Sequence, residues 1–338
     1  MVVPSGEDAA ACPLCGGRAS EPALTGYDRL QARERDYTYV RCRGCGLLHL
    51  SPLPAEDEIP GFYPNGYAPH GASGGRNRDK WINRLATRWY YATDSVERPA
   101  AGRALFRLLD RRVMRDIRPP RGANRVLDVG CGAGGLLARY RALGWTVRGV
   151  EPSENGVRSA RERGLDVHLG TVFDAPFDDE ERFDLVLLSH VIEHVRQPVK
   201  LLARCAELLA PGGLLVLTTP NAAGFGLRRF RSCWSWLDAP RHLMLFDPST
   251  VRLLAERAGL RAARVLTPAL PRLIEESAHL RETQGAELPA DLTERRRLVE
   301  GAPPRRRYRR ERLTLAPAAH LAARGGGGDL LEAELVHA

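Results

Sequence analysis

From Arg125 the chain settles into a repeat of apolar runs, turns and helical stretches that leaves few folds open. A short apolar run, Arg125–Val129, meets a glycine-rich turn, Gly130–Gly135, and then a helical stretch, Leu136–Leu143. The pattern continues through a strand at Thr146–Glu151, a helix at Ser153–Arg163, a third strand at Asp166–Leu169 and a fourth at Asp184–Ser189. A helix at Pro198–Leu209 and a fifth strand at Leu214–Thr218 follow. Strands that alternate with helices need crossover connections, and these place the strands parallel with helices on both faces. Ala262–Leu266 and Leu330–Val336 add two more strands. The expected fold class is α/β, a doubly wound, mostly parallel seven-stranded sheet built from residues 121–268 plus 327–338. Residues 269–326 interrupt it and read as an inserted lid or mobile segment, partly helical.

The first 50 residues follow a different logic. Cys12-Pro-Leu-Cys15 and Cys42-Arg-Gly-Cys45 are two Cys-x-x-Cys knuckles separated by 26 residues, with Gly16, Gly17, Gly44 and Gly46 in their turns. Four thiolates in two such pairs can close a tetrahedral Zn²⁺ shell with no open position, so the expected metal is structural. A unit this small has too little core to fold unaided. Residues 51–120 read as an irregular, proline- and glycine-rich connector followed by helices from Lys80 to Ile117, with Trp81, Leu85, Trp89, Leu105, Leu108, Leu109 and Val113 at helical spacing. Pro119 and Pro120 stop them.

With 43% apolar and 27% charged residues, collagen-like and wholly disordered chains are excluded. No apolar stretch approaches the roughly 20 residues of a membrane-spanning helix. Met1–Ala11 lacks the pattern of a secretory signal, so the expected location is cytoplasmic, with reduced or metal-bound cysteines. The +9 charge is carried almost wholly by arginine, since only Lys80 and Lys200 are lysine. Spread among matching acids, it reads as a composition bias, and nucleic acid is not the expected partner. The run Arg305, Arg306, Arg307, Arg309, Arg310, Arg312 is the exception, read as solvated or as a contact to an anionic acceptor.

Asp128-Val-Gly130-Cys131-Gly132-Ala-Gly134-Gly135 ends the first strand and opens a helix. Its glycines permit a sharp turn and close approach of a ligand to helix-start N–H groups. The spacing of Gly130, Gly132 and Gly135 also satisfies a dinucleotide fingerprint. Asp128 favours the other reading: a carboxylate there repels a pyrophosphate and suits a ligand that carries an ammonium group. Glu151, at the tip of the second strand, can accept hydrogen bonds from both hydroxyls of a ribose and fits either ligand.

Together with Phe183-Asp184-Leu-Val and Pro211-Gly212-Gly213, these residues resemble the class I S-adenosylmethionine-dependent methyltransferases, over residues 121–268 and the final strand. The resemblance implies a Rossmann-like fold and S-adenosyl-L-methionine as methyl donor. It implies cofactor contacts from Asp128, Gly130, Cys131, Gly132, Gly134, Glu151, from Thr171, Val172 and Asp174 on the adenine side, and from Ser189. An N-terminal four-cysteine unit fused to such a domain is similar to sugar and natural-product methyltransferases. The acceptor expected is therefore a small molecule, a sugar or secondary metabolite, methylated on oxygen or nitrogen.

Ser189-His190-Val-Ile-Glu193-His194 ends the fourth strand, and Arg241-His242 precedes a later helix. A helical turn would bring His190, Glu193 and His194 to one face. Imidazoles titrate near neutrality, so His194, then His190 and His242, are candidate general bases. In ubiquinone-pathway O-methyltransferases the corresponding Glu-x-x-Glu-His binds a divalent ion, and small-RNA 2′-O-methyltransferases add a downstream histidine. By that resemblance His190, Glu193, His194 and His242 form a candidate second metal site. Phe225, Phe230, Trp234, Trp236 and Phe246 are candidates for an acceptor pocket or for plain core. A metal-assisted RNA methyltransferase, an NAD-dependent oxidoreductase and a non-catalytic cofactor-binding subunit remain as alternatives. Oligomeric state is not legible.

Overall fold

The computed structural model describes residues 11–29, 36–63, 122–142, 144–283 and 305–338. The helices expected between Lys80 and Ile117 lie outside the described residues.

Two sheets organise the described residues. The larger has seven strands: β4 (Arg125–Val129), β5 (Thr146–Glu151), β6 (Val167–Leu169), β7 (Phe183–Ser189), β8 (Leu209–Pro220), β10 (Leu260–Leu266) and β11 (Leu330–His337). Their order is β10-β11-β8-β7-β4-β5-β6. The strands from β8 to β6 pair in parallel, and β11 runs antiparallel to both β8 and β10. The doubly wound expectation holds.

The central strands are near-continuous apolar runs because helices cover both faces. Val126, Leu127, Leu185, Val186, Leu188, Leu215 and Leu217 are buried. The flanking helices are α1 (Gly135–Ala142), α2 (Glu154–Glu162), α3 (Pro198–Glu207), α4 (Phe225–Phe230) and α5 (Pro248–Arg257). Ser153 caps α2 by accepting the Gly156 N–H, and Asp247 with Thr250 forms a capping box on α5. The chain leaves β4 toward β5 and β6, then returns to β7 on the other side of β4. That reversal opens a crevice at the strands' carboxyl ends, where α/β sheets bind ligands.

Strand β8 begins earlier than Leu214. Phe183 pairs with Leu209 and Leu185 with Leu214, so Ala210–Gly213 forms a bulge. Gly212 takes φ 73 within it, so the Pro-Gly-Gly turn is absorbed into the strand.

The smaller sheet has the order β1-β2-β3-β9, from β1 (Ser20–Tyr27), β2 (Asp36–Cys42), β3 (Leu48–Leu50) and β9 (Met244–Leu245). The cysteine unit thus completes its sheet with a strand contributed from about 195 residues downstream, Leu48 pairing with Leu245 and His49 with Met244.

Within the insertion, α6 (Arg272–Thr283) packs on α7 (Arg305–Arg324). Arg281 pairs with Glu311, Arg307 with Glu282 and Arg312 with Glu275. Tyr308 and Ala319 join the main core. Two members of the arginine run are therefore engaged by carboxylates of α6.

Candidate active site

The crevice has a glycine-turn side and a histidine side. On the first, Glu151 at the end of β5 reaches the turn after β4. Its Oε2 accepts the Gly132 N–H at 2.7 Å and its Oε1 the Ser153 N–H at 2.9 Å. The Gly130 N–H donates to Val150 O at 2.8 Å. Acid and glycine turn are one rigid unit.

Asp128, on β4, is buried, and no described residue hydrogen-bonds its carboxylate. Burial, with the charge of Glu151 beside it, pushes its pKa up to about 7. Burial also raises Glu151, against the two N–H donors that lower it. Two buried acids at adjacent strand tips would be relieved by a cation.

Gly132 takes φ 54 and a Cβ built there meets nothing within 4 Å. Gly134, at φ 72, is different: its Cβ would stand 2.3 Å from Leu165 Cδ1 and 3.1 Å from Ala160 Cβ. Gly134 is required by packing, whereas Gly132 faces open space, a cradle in which a ligand can approach the main chain.

Other expected cofactor residues divide. The Cys131 side chain packs beside Gly149, Leu137 and Val167 in the core, and Val172 is buried; only their main chains can face a ligand. Asp174 is occupied at one oxygen by the Thr171 N–H (2.7 Å) and hydroxyl and at the other by His168 Nε2 (3.1 Å). Those hydrogen bonds hold its pKa down to about 2. Phe173, between Val172 and Asp174, is half exposed, an apolar face in the loop after β6 that the sequence did not single out. Ser189 Oγ accepts from the Thr218 hydroxyl at 3.1 Å.

The histidine side departs from expectation in one respect. The turn after β7 is a 3₁₀ helix at Ile192–His194, and His190 stands before it at φ 57. The three side chains therefore do not share a single helical face. His190 Nδ1 lies 3.1 Å from Glu193 Oε1, with its ring edge-on to Trp236 at 5.2 Å. Donor atoms of Glu193, His194 and His242 instead gather within 4.8 Å of one another. Three of the four expected ligands thus come together, and His190 supports Glu193 from outside.

Glu193 is fully buried. Burial pushes its pKa up, but the His190 hydrogen bond and the neighbouring imidazoles outweigh it and leave the carboxyl at about 2. The Thr219 hydroxyl donates to its Oε2 at 2.9 Å. His194 Nδ1 is 3.0 Å from Arg241 O, and His242 Nδ1 is 2.8 Å from Trp236 O. A carbonyl only accepts, so both rings carry the proton on Nδ1 and leave Nε2 as a lone pair. Burial, reinforced by the neighbouring His242, lowers His194 to about 4; burial likewise lowers His242. Both rings are neutral near pH 7.

Two more residues complete this side, Tyr63, which carried no sequence signal, and Arg241 of the Arg241-His242 pair. The Tyr63 hydroxyl lies 3.2 Å from His194 Nδ1. Arg241, fully buried, pairs with Asp28 at 3.0 Å and Asp238 at 2.7 Å. Of the five candidate pocket aromatics, Trp234 and Phe246 are fully buried core and Phe230 nearly so. Trp236 touches the histidines.

The four cysteine sulfurs also lie within 4.8 Å of one another. Cys12 Sγ and Cys45 Sγ are 3.7 Å apart, and Cys15 Sγ and Cys42 Sγ 3.5 Å. A tetrahedral zinc site with Zn–S bonds of about 2.3 Å spaces its sulfurs about 3.8 Å apart, so the donor set fits zinc. A disulfide needs about 2.05 Å, so none is formed.

The Methyltransferase domain family matches residues 99–265. A ubiquinone biosynthesis O-methyltransferase of Bradyrhizobium sp. (strain ORS 278) is 43% identical over 103 residues, which is 29% of this chain and 40% of that protein. The enzyme of the same name from Maricaulis maris (strain MCS10) is 34% identical over 148 residues, 40% of this chain and 58% of that protein. The matches thus span about half the length of these relatives. An S-adenosylmethionine-dependent methyltransferase from Archaeoglobus fulgidus superposes with a TM-score of 0.45 at 20% identity, over 69% of this chain and 94% of its own. Among the described residues, no helix is long and apolar enough to cross a membrane. Residues 99–265 of the chain carry a methyltransferase domain.

Proposed function

We propose that the protein transfers the methyl group of S-adenosylmethionine to an oxygen or nitrogen of a small molecule, a sugar or secondary metabolite. The observation that carries the reading is the glycine-turn side: Asp128 buried without a hydrogen bond from any described residue, Glu151 locked to the glycine turn, and open space over Gly132. When bound, the cofactor supplies an electrophilic methyl and a neutral thioether leaving group. Glu151 is then the acceptor for ribose hydroxyls, and Asp128 the counter-charge to the ammonium end.

Because the leaving group needs no protonation, the protein's remaining work is to orient the acceptor and remove its proton. His194 and His242 present neutral Nε2 lone pairs at the tip of β7 and the segment before β9. His194 is the first candidate for the base. The acceptor proton moves to its Nε2 while the acceptor atom gains the methyl. Arg307 and Arg312 are paired with acids of α6, which favours a small-molecule acceptor over a phosphate-tracking RNA surface.

One observation favours a second reading of the same step. A base held near pKa 4 is weak, whereas two neutral imidazoles oriented by carbonyls and one buried carboxylate suit a transition-metal ion. Bound at Glu193, His194 and His242, a divalent ion would lend Lewis acidity to an acceptor hydroxyl. Metal analysis of a Cys42→Ala protein separates the two, since an ion that survives there occupies the second site. The function itself is tested by incubating the protein with S-adenosylmethionine and panels of catechols and sugars. A product one methyl heavier supports the proposal; transfer to RNA alone would replace it.

A further inference from the structure

We infer that the four-cysteine unit positions the acceptor half of the site, with Tyr39 as the residue that fixes His242. This rests on the reading of His242 as an acceptor-side group. The segment that carries His242, from Trp234 to Leu243, has no regular helix or strand and turns through Asp238 at φ 33. It needs external fastening to hold an imidazole in one orientation.

The cysteine unit supplies the fastening. The Tyr39 hydroxyl donates to His242 O at 2.6 Å, and Leu237 O lies 3.3 Å away. Leu50 N–H donates to Leu243 O at 2.9 Å, and β3 pairs with β9 immediately after. Arg29 Nη1 donates to Trp234 O at 3.1 Å and its Nη2 to Ser232 O. Asp28 holds the buried Arg241, the residue before His242. These bonds from Arg29, Tyr39 and Leu50 all land between Ser232 and Leu243, on the histidine segment and not on the glycine turn.

The arrangement links the cysteines to the site in two steps. Cys42 ends β2, and Tyr39 sits three residues earlier on the same strand. Zinc at the four sulfurs would close the base of this hairpin and hold the Tyr39 hydroxyl at the His242 carbonyl. His242 in turn stands beside His194, ring centroids 4.7 Å apart.

Two full-length variants test this by hydrogen-exchange mass spectrometry and imidazole NMR at fixed pH. Cys42→Ser should speed amide exchange over residues 236–246 by tenfold or more, while residues 126–134 and 149–153 keep their protection. Tyr39→Phe retains the ring and all four cysteines. It removes one buried hydrogen bond, so it should speed exchange at 242–244 by about tenfold and move the ring resonances of His242 at fixed pH. Unchanged protection of 236–246 in Cys42→Ser overturns the inference, as does equal loss over the cofactor strands. Unchanged exchange at 242–244 and unmoved His242 ring resonances in Tyr39→Phe overturn the role of Tyr39. Calorimetry of the wild-type protein with S-adenosylhomocysteine is run alongside: absence of binding sinks the methyl-transfer reading and leaves the exchange result to judge this one.

Discussion

Glu151 and Gly132 are joined by a 2.7 Å hydrogen bond from the glycine N–H to the carboxylate, so the acid that ends β5 also shapes the turn that follows β4. Glu151→Ala removes both that bond and the one from Ser153. Hydrogen bonds to a charged group contribute about 1.5–3 kcal/mol each. The expected outcome is an affinity for S-adenosylhomocysteine at least about a hundredfold weaker, measured by calorimetry. Glu151→Gln, which keeps one acceptor oxygen, should lose less.

The two glycines of the turn should respond oppositely to a methyl group. Gly134→Ala drives a Cβ into Leu165 and Ala160 and should cost about 2–4 kcal/mol of stability through strain and overpacking. Gly132→Ala meets open space. It should cost only about 1–2 kcal/mol, the left-handed backbone penalty, yet abolish most cofactor binding. Chemical denaturation and calorimetry on both variants separate the two effects.

Asp128 makes a signed prediction about pH. Its folded pKa, about 7, lies above the ordinary 3.8. Its contribution to stability is therefore full below about pH 4 and is lost as pH rises toward 7. A cationic ligand beside it favours the charged form, so binding near pH 7 should release a proton, and affinity should rise between pH 6 and 8. Asp128→Asn should flatten that dependence. Calorimetry in buffers of different ionisation enthalpy counts the proton directly.

The sheet was legible because its signals are local. Arg125–Val129 and Thr146–Glu151 form strands over the expected residues, since parallel strands covered on both faces must be apolar throughout. The cysteine knuckles were legible for the same reason, each turn being specified within four residues. What escaped depends on distant partners. Met244–Leu245 is a strand only because Leu48 and His49 pair with it. Tyr39, Tyr63 and Asp28 reach the histidine side across more than a hundred residues. The helical face imagined for His190 failed because its backbone turns to positive φ before the 3₁₀ turn begins.

His194 carries the opposite pH signature to Asp128. Its folded pKa, about 4, lies below the ordinary 6.5. Its contribution to stability is present above pH 6.5 and is lost as pH falls toward 4. His194→Gln should blunt acid unfolding in that window, read as melting temperature against pH. It should also lower methyl transfer by about 10²–10⁴-fold if its Nε2 takes the acceptor proton.

Calorimetric titration of the full-length protein with S-adenosylhomocysteine and, in parallel, with NAD⁺ bears most directly on the whole account. Saturable one-to-one binding of the sulfur nucleoside, with no heat from the dinucleotide, is the predicted result. Uptake of NAD⁺ with indifference to S-adenosylhomocysteine would contradict it.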